Sequence, residues 1–139
     1  MIIIGFDPGR DKCGVAVANN NSDVLYHQVI TSEKAIETID NLINEYNPNT
    51  IVMGNLTTSK QWQKKLTQQL PNSIDLHLIN EQNSTVEARS RYWQIYPPQG
   101  LNLNRFLPVG LRTPPHPVDD IVAIILIERY LQRKQEKGE

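Results

Sequence analysis

Apolar residues fall along this chain in two rhythms. Three short runs come first, IIIGF at 2–6, CGVAVA at 13–18 and VLYHQVI at 24–30, separated by a Pro8-Gly9 turn and by the polar stretch NNNSD. Runs of this length between turn formers predict strands joined as a hairpin meander. From Ser32 to Tyr46 the spacing changes: Ala35, Ile36, Ile39, Leu42 and Ile43 repeat with helical period, and Ser32 stands where an N-cap is expected. TIVMG at 50–54 predicts a buried strand, and Ser59–Leu70 a second helix with Trp62, Leu66 and Leu70 in one stripe. SIDLHLIN at 73–80 alternates Ile74, Leu76 and Leu78 against Asp75, His77 and Ile79, a half-buried strand that delivers Glu81 just past its end. STVE at 84–87 has the form of a capping box with Ser84 as N-cap, opening a helix to about Tyr96 with Ala88, Tyr92 and Ile95 as its core stripe.

The last apolar run, IVAIILI at 121–127, fits a strand or a helix by periodicity alone. Its flanks favour a helix from Pro117 to about Lys134. Pro117 suits a first helical position, Asp119 and Asp120 suit the positive end of the macrodipole, and Arg129, Arg133 and Lys134 suit the negative end. Between the two final helices, residues 97–117 hold six of the nine prolines. A connection that long in a small domain is expected to act as a lid or binding loop. The element order predicts an α/β fold: a central mixed five-stranded sheet, with three antiparallel N-terminal strands and then strands alternating with helices, flanked by helices.

With 139 residues and no linker-like stretch, the chain is expected to form one domain over residues 1–139. No apolar run reaches the roughly 18 residues of a membrane span, and the first strand lacks the flanks of a signal peptide. A cytoplasmic protein without membrane attachment is expected. The single cysteine, Cys13, has no disulfide partner and no CxxC neighbour, which reads as a small core residue in a reducing compartment. The net charge of −1 speaks against a broad electrostatic nucleic-acid binder. Its distribution is uneven, however. Tyr46 to Arg112 holds seven Lys and Arg against three Asp and Glu, whereas the rest of the chain holds seven against twelve.

Three acids occupy comparable places in this map: Asp7 ends the first strand, Glu81 follows the fifth, and Asp119 opens the last helix. Ligand sites in open α/β sheets lie at the carboxyl ends of strands. Carboxylates converging there repel one another unless a divalent cation holds them, and hard cations such as Mg²⁺ or Mn²⁺ favour carboxylate oxygens with phosphate completing the shell. Two such ions about 3.5–4 Å apart activate water and stabilise the leaving oxygen in phosphodiester cleavage. Each acid also has an ordinary reading, Asp7 as a turn former, Glu81 as a loop residue and Asp119 as a helix-start residue competing with Asp120. The ordered set is what carries the signal. His116, three residues before Asp119, is a candidate for positioning water or joining the site. Arg10, Lys60, Lys64, Arg89, Arg91 and Arg112 are candidates for contacting nucleic acid.

IIIGFDPGRDKCGVAVA resembles the first motif of the RuvC-like branch of the RNase H-like superfamily, in which an aspartate ending the first strand is catalytic. INEQNSTVEAR resembles the second motif of the YqgF family within that branch, and HPVDDIVAIILIERYL the third, with Asp119 four residues ahead of Ala123. The resemblance implies an RNase H-like fold and metal-dependent cleavage of nucleic acid by Asp7, Glu81 and Asp119 with His116 assisting. It also implies a substrate of structured RNA or branched DNA, since members are linked to maturation of precursor 16S ribosomal RNA and to Holliday junction resolution. A monomer or a homodimer is expected, with junction resolution calling for a dimer to cut paired strands. One motif departs from the family: where Asp-Glu-Arg is common, this chain reads Asn80, Glu81, Gln82. Two readings of other classes are a scaffold that binds nucleic acid without turnover, and an actin-like or sugar-kinase-like ATP-binding domain, whose two lobes exceed this length.

Overall fold

The protein is described by a computed structural model covering residues 1–56, 58–98, 103–112 and 114–138. Its first three apolar runs form β1 (Ile2–Asp7), β2 (Lys12–Asn19) and β3 (Val24–Thr31), paired antiparallel, with Asp7 opposite Gly14 at the end of the first ladder. β4 (Thr50–Gly54) lies parallel to β1, and β5 (Asp75–Ile79) parallel to β4. The resulting order, β3-β2-β1-β4-β5, is the mixed five-stranded sheet expected from the sequence. α1 (Ala35–Tyr46), α2 (Ser59–Gln69), α3 (Ser84–Ile95) and α4 (Asp119–Glu136) flank it.

Alternation along the strands divides the core in two. Ile4, Phe6, Val15, Val17, Ile51 and Met53 pack with Ala35, Ile39 and Leu42 of α1 and Trp62 and Leu66 of α2. Ile3, Ala16, Ala18 and Val52 face the other way, against α3 and α4. Helices on both faces explain why the first strand is apolar throughout, since neither side can face water. The Phe6 and Trp62 rings meet edge to face, 5.2 Å apart. α4 is buried nearly all round, including Ile121, Val122, Ala123, Ile125, Leu126 and Ile127, because it is held between the sheet and α3. That sandwiching accounts for the continuous apolar run.

Several local expectations are corrected. Ser32 does not cap α1: it begins a 3₁₀ turn, and its hydroxyl donates to the Gly9 carbonyl at 2.9 Å, bracing the β1–β2 turn. Ser84 is the first residue of α3 and no capping box forms, because Asn83 precedes it in the left-handed region (φ 63°) and Glu87 pairs with α4 instead. Ile79 joins the core beneath α3 and α4. Ile95 is exposed, and α3 buries Trp93 beside Tyr92 in its place. α4 begins at Asp119, two residues after Pro117. In the proline-rich connection the structure describes two 3₁₀ turns, Leu103–Phe106 and Val109–Leu111, while residues 99–102 and 113 of that predicted loop lie outside the described residues. Among the described residues no helix is long and apolar enough to cross a membrane.

Candidate active site

Two close backbone approaches bring the acids together. Asp7 is the last residue of β1 and sits opposite Gly14. A side chain on Gly14 would run into the Asp119 carbonyl and the Asp120 amide, so the first turn of α4 rests on bare β2 backbone beside Asp7. Glu81 follows β5, which is separated from β1 by β4. β4 ends in Gly54, where a Cβ would overlap the Glu81 carboxylate. Glu81 thus lies over the uncovered end of β4, only 8% exposed, and its Oε1 accepts the Leu56 N–H at 3.0 Å.

The electrostatics follow from this crowding. Burial, the Glu81 and Asp119 charges, and hydrogen bonding to both push the Asp7 carboxyl up to about 8. Burial also raises Asp119, although the Asp7 hydrogen bond and Lys12 oppose the shift. Asp7 is therefore the common neighbour whose ionised form burial and the other two acids disfavour. Among the described residues no three His, Cys, Asp or Glu side chains stand ready to hold an ion as a formed cage. The three side chains are all hard oxygen donors, which fits Mg²⁺ or Mn²⁺ and not a thiophilic ion.

Asp120 is directed elsewhere. Its Oδ2 lies 2.7 Å from His27 Nδ1 on β3, and its Oδ1 accepts the Ile121 N–H at 2.9 Å. His116 is exposed and lines a cleft with His27, Tyr92, Tyr96 and Asp120, without a hydrogen bond to Asp7, Glu81 or Asp119. His116 thus stands in the cleft beside Asp120, with no hydrogen bond joining it to the three acids.

The structure adds Arg129, which sequence reading treated only as a helix-end cation. Its Nη1 donates to the Asn80 and Gln82 carbonyls at 2.9 and 3.0 Å, and its Nη2 to Glu87 Oε2 at 2.9 Å. One guanidinium therefore ties the carbonyls of the residues on either side of Glu81 to α4. Arg129→Gln should leave the fold intact and speed hydrogen exchange at the Gln82 and Ser84 amides by about tenfold or more, as expected when charge-assisted bonds are lost. Unchanged exchange would show that the loop holds itself.

The candidate basic residues divide. Arg91 is bound to Glu128 at 2.8 Å, joining α3 to α4, and Arg112 Nε donates to the Leu107 carbonyl at 3.0 Å. Lys60, Lys64 and Arg89 are exposed on α2 and α3. Arg10, also exposed, shares a depression with Gln61, Trp62 and Lys65, whose Nζ lies 4.8 Å above the Trp62 ring.

Comparison with known proteins adds an independent line. A family model described as "RuvX: Holliday junction resolvase" matches residues 1–133. A Buchnera aphidicola protein named "Putative pre-16S rRNA nuclease" is 29% identical over 143 residues, spanning 94% of this chain and 96% of that protein. The fold is similar to that of T. thermophilus RuvC solved with a Holliday junction substrate, with a TM-score of 0.62, 12% identity and coverage of 97% of this chain and 96% of that one. The Fowlpox virus resolvase solved with Holliday junction DNA gives a TM-score of 0.62 at 16% identity, covering 96% of this chain and 98% of that one.

Proposed function

The chain belongs to the RuvX family, and on that footing we propose that it hydrolyses phosphodiester bonds in structured nucleic acid, with precursor 16S ribosomal RNA, the substrate named for the similar Buchnera aphidicola protein, as its substrate. The observation that carries this reading is Asp7, whose carboxyl is pushed up to about 8 by burial and by Glu81 and Asp119. Such an arrangement disfavours its own ionised form and is relieved by positive charge. Asp7, Glu81 and Asp119 would hold Mg²⁺ or Mn²⁺, which supplies Lewis-acid polarisation of the phosphate and an activated water. The chain's own contribution is placement. β1 fixes Asp7, the Leu56 amide and Arg129 fix Glu81 and its flanking peptides, and α4 presents Asp119 at its N-terminus, where the macrodipole favours the ionised, metal-binding form. Exposed Arg10, Lys60, Lys64 and Arg89 would contact the sugar-phosphate backbone, and His116 would act from the neighbouring cleft on a bound strand. Resolution of a four-way DNA junction is the second reading, favoured by the description of the family.

The test incubates a precursor 16S-like RNA and a four-way DNA junction with Mn²⁺ and protein, wild type beside Asp7→Asn, with a chelator control. RNA cleavage that disappears in the variant and in chelator is expected. Junction cleavage alone would establish the second reading, and cleavage of neither substrate across metals and pH would leave a binding scaffold. Within the same assay, Asp119→Asn should lower cleavage more than about 100-fold, whereas Asp120→Asn should cost about tenfold or less, the effect of disturbing a supporting contact. Reversed sensitivities would transfer the role to Asp120.

A further inference from the structure

Beside Glu81 lies a groove of about 630 Å³ that the acids themselves do not fill. One wall carries Asn55 and Leu56 after β4, and the other carries Gln82, Asn83 and Val86 at the start of α3. Its chemistry is unusual for a surface next to clustered carboxylates. Among the described residues no lysine or arginine lines it, and Glu81 is its only charged group. Leu56 and Val86 leave 58% and 56% of their surface exposed there. The side-chain amides of Asn55, Gln82 and Asn83 are exposed and make no hydrogen bond among the described residues. A recess with one carboxylate and no cationic side chain among the described residues, two apolar side chains and unspent amide donors and acceptors does not suit a phosphate. It suits a flat, uncharged group with apolar faces and a hydrogen-bonding edge.

We propose that this groove is a slot for one unpaired nucleobase adjoining the bond that is cut. The inference rests on the nuclease reading and deepens it, because Glu81 belongs to both the groove and the acid cluster. An occupant must therefore be part of the strand whose phosphate meets the acids. A base paired inside a duplex cannot present its faces and edge to such a recess, so the nucleotide enters unstacked. The surface beyond agrees with this. Gln82 and Asn83 also border a second depression lined by Arg129 and Arg133, and Arg133 has no acidic partner among the described residues, its contact being the Tyr130 ring at 5.7 Å. A base in the groove would leave its next backbone phosphate beside that guanidinium.

The test uses the full chain in an Asp7→Asn background with Mg²⁺, so that turnover is blocked. Dissociation constants are measured by fluorescence anisotropy for labelled RNA pentamers bearing all their bases and for an abasic ribose-phosphate pentamer. The base-bearing strand should bind about tenfold more tightly, the scale of one well-packed base. The double variant Leu56→Ser/Val86→Ser should reduce that ratio to less than about twofold while binding the abasic strand as before. Asn83→Gly, which keeps the left-handed backbone and deletes the amide, should lower the ratio in the same direction. All these substitutions are on exposed side chains, and thermal melts establish that each variant is folded. A ratio unchanged in the double variant would place the base contacts elsewhere and overturn the proposal, as would equal binding of the two parent strands or no binding of either. Failure of the nuclease reading is seen separately, as absence of Mn²⁺-dependent cleavage by wild type.

Discussion

Asp7→Asn should abolish cleavage and, in the same protein, raise the melting temperature of the metal-free chain at pH 8 and above. Both effects follow from one carboxyl group. Loss of cleavage is expected to exceed about 100-fold, because the amide is a poor ligand for a hard cation and the other two acids are left without their common neighbour. The stability effect has the opposite sign. Asp7 titrates near 8 in the folded chain against an ordinary value of 3.8. Between these values the folded state binds a proton that the unfolded state has released, so stability falls as pH rises. It is undiminished below about 4, declines through the interval, and levels off above about 8 with a loss on the order of 5 kcal/mol. Asparagine has nearly the same shape, carries no charge, and offers two N–H donors to Glu81 and Asp119. The gap between variant and wild-type melting temperatures should therefore open from pH 4 to pH 8 and then stay constant. Mg²⁺ should close it by stabilising wild type alone. A wild-type melting curve that is flat from pH 5 to 8 would contradict the burial of this carboxyl.

Gly14→Ala is expected to be the most damaging single methyl addition near the site. The new Cβ would occupy the position of the Asp119 carbonyl, which is backbone and cannot rotate away. Either α4 moves off β2 or β2 bends, and α4 carries much of the core on that face. Overpacking of this kind costs about 3 kcal/mol, or roughly 10 °C in melting temperature for a chain of this size. A second readout separates local displacement from general weakening. If α4 withdraws from β2, Asp119 withdraws from Asp7, and the decline in stability between pH 4 and 8 should become shallower than in wild type. A melting temperature within about 2 °C of wild type would mean that the approach seen here is not required.

What could be read from the sequence depended on whether the information was local. The strands and helices were legible because period-2 and period-3.6 patterns are local, and α4 was recoverable from the charges at its ends even though its apolar run was ambiguous. Asp7, Glu81 and Asp119 were legible as strand-end and helix-start acids. The pairing of Asp120 was not, because its partner His27 lies 93 positions away. Gly54 was visible as the end of a strand, but its purpose depends on β4 lying between β1 and β5, which no local pattern states. Arg129 has the spacing of any helix-end cation, and only the fold places it beneath residues 80 and 82. Arg91 illustrates the reverse. Counted as a base available to a ligand, it is already bound to Glu128. The Ser84–Glu87 pattern failed for the same reason: a partner across the fold took the glutamate from its local role.

The described 3₁₀ turns between α3 and α4 contribute no residue to either half of the core, whereas every acid is fixed by β1, the end of β5 or the start of α4. That separation keeps the exposed side chains of these turns apart from the elements that carry the acids. Substitutions at the exposed Leu103, Phe106 and Leu111 change the surface of this connection at positions outside β1, β5 and α4. Sequence change in that stretch therefore alters an apolar surface while the elements that position the acids keep their own residues.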